Sequence, residues 1–589
     1  MATNMFHGMR KLGRVFSDAG IRALNPTLRR ASTLAQSKVV EGPNGERIIQ
    51  SPYGDISPFS EMLIHEYVWN KAEDYPNKVA LECGVSGKKY TFAQAKDASY
   101  YIGRSLHNIG LKKGDVVALV TPNLPDAVLS FLGILSGGFI CTTMNPQYIA
   151  DEISRQLQKS GVKAIITSTA IASTVRTAAN TCLPPQTPFI VIDDQVGSMP
   201  EGSIPFNDLI TRGKSLPNIK SDALMDDVAI LPFSSGTTGL PKGVMLTHRN
   251  LVSNMDMVEE ALRKDNLFHP TTDTYQEVVP AVLPFFHIYG LNAMMLPRLS
   301  KGNKLVTIPK FVPDTYLNIL EKSKATLLYC VPPIILFLTA SPLAKKQHLK
   351  YIHSIFSGAA PLAQSDVDRF YEKFKFSPDN LKFGQGYGLT ESSPVAFTES
   401  TSKKFSSIGR NVASCEARIV DVTTKQDVNG PGKTGELWIR GPHIMKGYLN
   451  DETATKETLT EDKWLKTGDI AYYDKEYDFY ITDRLKELIK VKGFQVPPAE
   501  LEALLRSHPD VEEAAVIGIP HERYGEVPKA FVVLNKDKKP TEDDIKNFVK
   551  GKVSDYKELE GGVMFVTDIP KNPSGKILRS HLKREYAKS

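Results

Sequence analysis

A ten-residue stretch rich in glycine and hydroxyl side chains could bind phosphate. It consists of Ser234, Ser235, Gly236, Thr237, Thr238, Gly239, Leu240, Pro241, Lys242 and Gly243. Glycine lets the backbone approach a ligand closely, and N–H and hydroxyl groups beside an ammonium form a cradle for phosphate. The Walker pattern is not met, because Pro241 stands where the second glycine would be. A flexible turn is the other interpretation of an isolated Gly/Thr loop.

A second segment has residue types that suit a nucleotide and a cation. It consists of Gln385, Gly386, Tyr387, Gly388, Leu389, Thr390, Glu391 and Ser392. The glycines allow a nucleotide to lie against the backbone, Tyr387 can stack on a purine, and Glu391 can bind a hard cation through oxygen. The alternative is a surface loop with an incidental acid.

Four further residue types could take part in the chemistry, although their spacing alone does not assign them a role. Asp469 can accept hydrogen bonds from both hydroxyls of a ribose, and Arg484 offers several donors, although both could equally be solvated. His287 lies in an apolar, aromatic run, where a lone histidine is more often a core residue. Lys576, in a turn-rich loop, and Lys490 resemble any surface lysine.

Alternating apolar and amphipathic segments predict how these residues are positioned. Apolar runs at 116–120, 164–167 and 189–193 alternate with helical patterns such as 127–135 and 172–179, and the alternation resumes between 304 and 375. This pattern predicts βαβ units and parallel sheets. The predicted fold class is therefore α/β, with two doubly wound sheets in a large N-terminal domain. The runs 228–233 and 244–246 predict strands on either side of the first glycine-rich stretch.

The pattern changes twice further along the chain. From Ala417 onward, shorter strands and turns predict a small antiparallel β subdomain, and a charged, glycine-ended segment follows at 483–493. The last hundred or so residues predict a small mobile α+β domain joined at a hinge near Lys486. We expect a leader at 1–38, a polar connector at 41–58 within an N-terminal domain at 39–485, and a C-terminal lid domain at 486–589.

Composition and charge exclude several classes of protein. The five cysteines have no paired spacing, which argues against a disulfide framework and against a zinc site. The net charge is +6, and residues 1–38 account for all of it with seven basic residues and one acidic residue. The remainder is balanced, which argues against nucleic-acid binding. No uncharged apolar run reaches the ~18 residues that span a bilayer.

The basic N-terminus is amphipathic at helical spacing and predicts a mitochondrial transit peptide. Met5, Met9, Leu12 and Phe16 fall on one helical face, and arginines lie around the other. Arg29 and Arg30 suit cleavage near residue 31, so we expect the mitochondrial matrix. A disordered tail or a helix in peripheral contact with a membrane surface is the alternative. The C-terminal Ala-Lys-Ser is not a peroxisomal address.

In content and order, these motifs resemble the adenylate-forming superfamily of acyl-CoA synthetases, 4-coumarate–CoA ligases and firefly luciferases. The resemblance covers about residues 58–589 and is nearest to the coumarate-ligase-like enzymes. It implies ATP, Mg²⁺ and coenzyme A as ligands, with Glu391 as the Mg²⁺ ligand. The nucleotide-binding residues that it implies are Ser234, Ser235, Gly236, Thr237, Thr238, Gly239, Lys242, Gly358, Ala359, Ala360, Gln385, Gly386, Tyr387, Gly388, Asp469, Arg484 and Gly493.

The resemblance also implies the catalytic roles. Lys576 would bridge the carboxylate and the α-phosphate, Lys490 with Gly493 would face the site during thioester formation, and Thr390 would lie near the α-phosphate. His287 would lie beside the carboxylate that is activated. The acyl pocket would be lined by Tyr289, Gly290, Ser357, Pro394 and Val395.

The implied activity is that of an AMP-forming acyl-CoA synthetase acting on small-molecule acids. A luciferase-like monooxygenase is one alternative, although Phe286 precedes His287 where luciferases have a second histidine. An adenylation enzyme that loads a carrier-protein thiol is another, and a non-catalytic binding protein is a third. Mitochondrial import slightly favours medium-chain fatty acids over aromatic acids, whereas the pocket residues resemble those of coumarate ligases.

Overall fold

The computed structural model describes residues 37–219, 221–234, 241–267, 269–360, 362–399, 404–485, 487–491, 494–571 and 577–586. Residues 1–36 of the predicted leader and the hinge residue Lys486 lie outside these ranges. Within them, no helix has both the length and the apolar character needed to cross a bilayer.

The α-helices of the described residues are α1 Ile64–Trp69, α2 Phe92–Asn108, α3 Pro125–Ser136, α4 Ala150–Ser160, α5 Ala172–Cys182, α6 Phe206–Ser215, α7 His248–Lys264, α8 Leu296–Ser300, α9 Pro313–Lys322, α10 Pro332–Ala340, α11 Gln364–Phe374, α12 Glu452–Thr458, α13 Pro498–Arg506, α14 Glu542–Val549 and α15 Arg579–Tyr586. A π-helical segment, Tyr289–Met295, precedes α8, and 3₁₀ turns occur at Lys346–Leu349, Thr390–Ser392 and Asp555–Lys557. Several helices begin at proline, whose fixed φ suits the first helical position.

The strands of the described residues are β1 Lys38–Glu41, β2 Arg47–Gln50, β3 Val79–Cys83, β4 Lys89–Thr91, β5 Val116–Val120, β6 Ile140–Met144, β7 Val162–Ser168, β8 Phe189–Ile192, β9 Ile204–Pro205, β10 Val228–Ile230, β11 Phe233–Ser234, β12 Lys242–Thr247, β13 Val278–Ala281, β14 Lys304–Thr307, β15 Leu327–Cys330, β16 Ser354–Ser357, β17 Lys382–Gly388, β18 Val395–Glu399, β19 Arg410–Asn411, β20 Glu416–Val420, β21 Gly435–Arg440, β22 Gly447–Tyr448, β23 Leu465–Tyr473, β24 Phe479–Arg484, β25 Ile489–Val491, β26 Phe494–Val496, β27 Val511–His521, β28 Gly525–Leu534 and β29 Val563–Phe565.

The first large sheet has the order β11-β12-β10-β6-β5-β7-β8-β9 and is parallel from β10 through β6, β5, β7 and β8 to β9. Helices α3, α4 and α5 alternate with its central strands along the chain. Every residue of β5 is buried, as expected for a parallel strand covered on both faces. The sheet confirms the predicted doubly wound architecture.

A second large sheet has the order β15-β16-β17-β18-β19, with β15, β16 and β17 parallel and β18 and β19 antiparallel. It lies beside a smaller sheet, β13-β14-β3-β4. The two are joined at their amino ends, where the N–H of Thr326 donates to the carbonyl of Val278 at 3.0 Å. Asn123, which follows β5, ties the first large sheet to the segment after β13 by donating to the carbonyls of Ala281 and Leu283. The second predicted doubly wound half is therefore also present.

The antiparallel sheet has the order β1-β2-β20-β21-β23-β24 and confirms the predicted β subdomain. The predicted polar connector at 41–58 contains strand β2, in which Ile49 pairs with Ala417. Ile48 and Ile49 are buried, so this short apolar run enters a core instead of remaining in solvent. Because the pairing strand lies hundreds of residues away in the sequence, the residues around β2 do not indicate that it is a strand.

The C-terminal sheet has the order β26-β25-β28-β27, with β29 beside β28. Alternate residues of β27 and β28 face opposite sides, as the strand period requires. Ala514, Val516 and Val532 pack with α13 and α14 on one face, and Ile517 and Phe531 pack with α15 on the other. The predicted α+β architecture is confirmed. Its boundary at residue 486 and its mobility stay predictions.

The corner between β12 and α7 depends on a buried capping box. The Thr247 hydroxyl accepts from the N–H of Asn250 at 3.1 Å, and the Asn250 amide oxygen accepts from the N–H of Thr247 at 3.0 Å. Replacing Thr247 by alanine should lower the free energy of unfolding by about 1–2 kcal/mol, because it leaves a buried N–H without a partner. Urea denaturation measures the change. Thr247→Ser, which keeps the hydroxyl, should stay near wild type, and equal losses in both variants would contradict the capping role.

Candidate active site

Most of the candidate residues lie where strands end at their carboxyl side. Ser357 ends β16, Gly388 ends β17, and His287 follows β13 by a short loop. In open α/β sheets, ligands bind in the crevice outside the carboxyl ends of the strands. The fold therefore brings residues from three separate parts of the chain to one edge.

Glu391 is the meeting point of three segments. Its Oε1 atom accepts hydrogen bonds from the Ser234 hydroxyl and the Tyr448 hydroxyl, each at 2.9 Å. The residue is 8% exposed. The turn that carries it is closed by Ser392, whose hydroxyl donates to the carbonyl of Pro394 at 2.6 Å. The result is a fixed, largely buried carboxylate, which is the ligand type that Mg²⁺ prefers.

Lys242 lies beside this carboxylate site. It pairs with Ser234 across β11 and β12, and its ammonium lies 5.1 Å from the centre of the Tyr448 ring. Burial, together with the Glu391 carboxylate, raises the pKa of Tyr448, so the phenol remains a hydrogen-bond donor. A cation and a carboxylate on one rigid frame can bind a metal–phosphate group from both sides.

Tyr387, Asp469 and Arg484 form a second cluster. The Tyr387 hydroxyl donates to Oδ2 of Asp469 at 2.5 Å, and Nε of Arg484 lies 3.2 Å from Oδ1. Asp469 and Arg484 face each other across β23 and β24, so sheet register sets this contact. Burial and the Asp469 carboxylate raise the pKa of Tyr387 well above its usual value. The cluster unites the residue predicted for adenine with those predicted for ribose.

The glycines at this edge have distinct surroundings. A Cβ on Gly386 would have the carbonyl oxygen of Phe397 as its nearest neighbour, at 3.8 Å. A Cβ on Gly388 would lie 1.7 Å from the carbonyl oxygen of Pro394. Ala359 has a φ of +69°, which places it in the left-handed region between Gly358 and Ala360. Gly386 therefore leaves open space, whereas Gly388 is required by a close backbone approach.

The side chain of Gln385 forms hydrogen bonds to two separate loops. Its side-chain oxygen accepts from the N–H of Leu362 at 3.2 Å, and its side-chain nitrogen donates to the carbonyl of Phe405. The amide thus joins the segment that follows residues 358–360 to the segment around Phe405. Its geometry is that of a positioning residue for the predicted nucleotide pocket.

Two of the predicted acyl-pocket residues, Tyr289 and Gly290, have closely packed surroundings. The Tyr289 hydroxyl lies 3.3 Å from the carbonyls of Cys330 and Phe356, at the ends of β15 and β16. A Cβ on Gly358 would lie 2.9 Å from the Tyr289 ring. A Cβ on Gly290 would lie 2.3 Å from the carbonyl oxygen of Pro284, so a side chain there would displace the segment. Tyr289 therefore forms a fixed aromatic wall.

His287 precedes that wall and is electrically neutral. Its Nδ1 accepts from the N–H of Tyr289 at 3.2 Å, which places the ring proton on Nε2. Burial lowers the pKa of His287 to about 4. A neutral imidazole with a free-standing Nε2–H can donate to a carboxylate without changing charge between pH 6 and 8.

Several positioning residues were absent from the sequence-based prediction. Tyr448 reaches Glu391 because β22 pairs with β12. Asn254, on α7, donates to the carbonyl of Val395 at 2.7 Å and accepts from its N–H at 3.2 Å. Asn292 donates to the carbonyl of Ser393 at 2.5 Å. In the sequence, the one indication that these asparagines make buried hydrogen bonds is that their neighbouring residues are apolar.

Some predicted residues cannot be placed in this geometry. Ser235, Gly236, Thr237, Thr238, Gly239, Gly493 and Lys576 lie outside the described residues. Lys490 is exposed on β25, and its N–H donates to Glu526 at 2.9 Å. Within the described ranges, no hydrogen bond or ion pair joins the Lys490 side chain to the cleft residues. Thr390, beside Glu391, is partly buried.

Comparison with known families agrees with the architecture. The profile of the AMP-binding enzyme family matches residues 68–449, and that of the AMP-binding enzyme C-terminal domain matches residues 500–576. The chain belongs to the family of AMP-binding enzymes. Within that family it is an AMP-forming acid–thiol ligase, which joins an acid to coenzyme A with ATP.

The relatives cover nearly the whole chain. 4-Coumarate–CoA ligase 1 of Arabidopsis thaliana is 39% identical over 553 residues, which span 92% of this chain and 96% of the relative. A probable 4-coumarate–CoA ligase 1 of Dictyostelium discoideum is 37% identical over 553 residues, spanning 92% and 98%.

Solved structures show the same fold. ATP-bound MatB from Rhodopseudomonas palustris is 26% identical with a TM-score of 0.79, and the match covers 90% of this chain and 99% of that one. The anthranilate CoA ligase AuaEII in complex with anthranoyl-AMP is 25% identical with a TM-score of 0.79, and the match covers 90% and 98%.

The contrast between Gly386 and Gly388 predicts two different mutant phenotypes. Gly386→Ala should change the free energy of unfolding by less than about 1 kcal/mol, because its Cβ has room, yet it should weaken ATP binding if a nucleotide lies against this face. Gly388→Ala should destabilise the protein by about 2 kcal/mol or more through the clash with Pro394. Urea denaturation and calorimetric ATP titration separate the two effects. Unchanged ATP affinity in Gly386→Ala would exclude the nucleotide from this face.

Proposed function

We propose that the enzyme activates a planar aromatic or arylalkenoic acid through an acyl-adenylate and transfers the acyl group to coenzyme A. The observation that carries this proposal is the convergence of Lys242 and Glu391 at one end of the cleft and of Tyr387 and Asp469 at the other. The first group suits polyphosphate, and the second suits a nucleoside.

The chemistry follows from the poor leaving group of a carboxylate. In the first step, a carboxylate oxygen attacks the α-phosphorus of ATP, the bond to the bridging oxygen breaks, and pyrophosphate leaves. The acid is now a mixed anhydride whose leaving group is AMP. In the second step, the thiol of coenzyme A attacks the acyl carbon, loses its proton, and displaces AMP. Lys242 would offset the charge of the departing phosphates, and His287 Nε2–H would orient the carboxylate.

Residues at the cleft also fit a divalent cation. Glu391 is a hard oxygen ligand whose Oε1 is already fixed by two hydroxyl donors, and Mg²⁺ is commonly held by one or two carboxylates together with substrate phosphates. When bound, Mg²⁺ would neutralise charge on the phosphates as they separate. Ser234 and Tyr448 keep the carboxylate oriented for that purpose.

The shape of the acyl pocket supports an aromatic acid. The Tyr289 ring is fixed by two backbone carbonyls and lies close to Gly358, so it presents a flat, rigid wall. Tyr329 packs 6.4 Å from Tyr289, centre to centre, and 5.6 Å from Phe356. Relatives named as 4-coumarate–CoA ligases and the neighbour named as an anthranilate CoA ligase agree with this choice. A medium-chain fatty acid is the second candidate, favoured by the basic N-terminal leader.

A substrate panel tests the proposed acid. AMP release should be followed with cinnamates, benzoates and C4 to C16 fatty acids in the presence of ATP, magnesium and coenzyme A. We expect kcat/KM for the best aromatic acid to exceed that for the best fatty acid by about tenfold or more. Tyr289→Ala, which removes the wall, should shift the preference toward bulkier or longer acids. Preference for fatty acids in the wild type would overturn the aromatic assignment, and no AMP with any acid would overturn the activity.

The two lysines implied by the resemblance should separate the half-reactions. Lys576→Ala should lower acid-dependent pyrophosphate exchange about 100-fold or more while sparing thioester formation from supplied acyl-AMP. Lys490→Ala should do the reverse. Lys550→Ala, which removes an exposed lysine in the same part of the chain, serves as the control. Equal loss of both half-reactions in Lys576→Ala would contradict this division of labour.

The basic leader also supports a proposal on location, namely the mitochondrial matrix. Residues 1–38 fused to a fluorescent protein should reach mitochondria and be cleaved near residue 31. Replacing Arg10, Arg14, Arg22, Arg29 and Arg30 by glutamine should abolish import, because transit peptides require basic charge on one helical face. Diffuse fluorescence of the unaltered fusion would refute the assignment.

A further inference from the structure

We propose that His269, Glu277 and His353 form a zinc-binding site where the amino ends of β13 and β16, from two adjacent sheets, lie side by side. Glu277 directly precedes β13, and His353 directly precedes β16. His269 lies in the segment that leads to β13. One carboxylate oxygen and one nitrogen from each imidazole lie within 4.8 Å of one another.

The separations are close to those of a tetrahedral zinc site. Oε1 of Glu277 lies 3.5 Å from Nδ1 of His269 and 2.9 Å from Nε2 of His353. Zinc bonds of about 2.0–2.2 Å at tetrahedral angles place neighbouring ligand atoms about 3.3–3.5 Å apart. The two distances from Oε1 therefore differ from this spacing by about 0.6 Å or less, and the imidazole nitrogens lie within 4.8 Å of each other.

Hydrogen bonds already orient two of the three ligands. Nδ1 of His353 lies 2.9 Å from the Ser354 hydroxyl, which directs Nε2 toward Glu277. The Thr326 hydroxyl donates to Oε2 of Glu277, and Oε1 is the carboxylate oxygen nearer to both histidines. Such outer partners are typical of metal-bound histidine and carboxylate.

The surroundings of Glu277 favour a cation over a simple ion pair. Its side chain is only 4% exposed, and within the described ranges its ion pairs are with these two histidines and with no lysine or arginine. An ion pair between Glu277 and His353 alone would not explain why the His269 imidazole also lies beside them. The centre of the His269 ring lies 4.4 Å from that of His353. Two nitrogen ligands and one oxygen ligand select zinc over magnesium or calcium.

The position of the cluster indicates a structural ion. Ser357, at the cleft end of β16, is separated from Ser354 by about 10 Å at the rise of a strand. An ion at the amino ends would join the segments that begin β13 and β16 without touching the nucleotide site. His269 is 44% exposed, so water can occupy a fourth position.

Zinc binding by the untagged, chelator-treated full chain tests this site. We expect the wild type to bind one Zn²⁺ per chain, to unfold at a higher temperature with zinc, and to give the absorption bands of tetrahedral cobalt when Co²⁺ is used. His269→Ala should weaken zinc binding about 100-fold or more, and His269→Cys, which supplies another zinc ligand, should restore it. His269 is half exposed, so its replacement should leave the fold intact, and His353→Gln offers an independent second variant.

A matched control separates this site from adventitious surface binding. His581 is 48% exposed, and its Nδ1 lies 3.2 Å from Glu585, but among the described residues it belongs to no group of three metal-ligating side chains. His581→Ala should bind zinc like the wild type. Absence of stoichiometric zinc binding in the wild type would overturn the proposal. Equal affinity in the wild type, His269→Ala and His353→Gln would also overturn it.

Discussion

The cleft depends on the two hydroxyl groups that hold the Glu391 carboxylate. Ser234 and Tyr448 come from strands far from Glu391 in sequence, yet both donate to the same oxygen. An ionised carboxylate that is removed from water without partners loses several kcal/mol of hydration. The two hydroxyls offset part of that loss but supply no positive charge. The carboxylate is therefore prepared for a cation that arrives with the substrate.

The second cluster has a different physical basis. Asp469 is 4% exposed and has Arg484 beside it, so its charge is balanced within the protein. A buried ion pair of this kind is weak evidence for stability, because desolvation can cancel the attraction between the charges. Its value here lies in geometry, since sheet register and the Tyr387 hydroxyl leave the carboxylate fixed for a diol. At one end of the cleft, the Glu391 carboxylate thus has no ion-pair partner among the described residues. At the other end, the Asp469 carboxylate is paired with Arg484.

Local sequence determined the parallel sheets more clearly than the antiparallel one. The buried run of β5 and the amphipathic pattern of α4 have signatures that a window of a dozen residues contains. By contrast, β2 can be recognised as a strand only from its pairing with β20, in which Ile49 pairs with Ala417. The same limit applies to the site. Glycines and acids in ordered motifs predicted Gly386, Glu391 and Asp469, but no pattern predicted Tyr448 or Asn254, whose roles arise from strand pairing and contacts with backbone atoms.

The direction of the parallel strands explains why the two adjacent sheets that contain β13 and β16 can have different polar groups at their two ends. At the carboxyl ends, loops after β16 and β17 expose glycine and backbone groups, and these suit a ligand that must enter and leave. At the amino ends, Glu277 and His353 stand directly before strands whose buried residues hold them in place, so this edge has little freedom to rearrange. Reversible binding needs open space beside fixed groups, as at Gly386. A permanently bound ion needs ligands that converge before it arrives, as they do around Glu277.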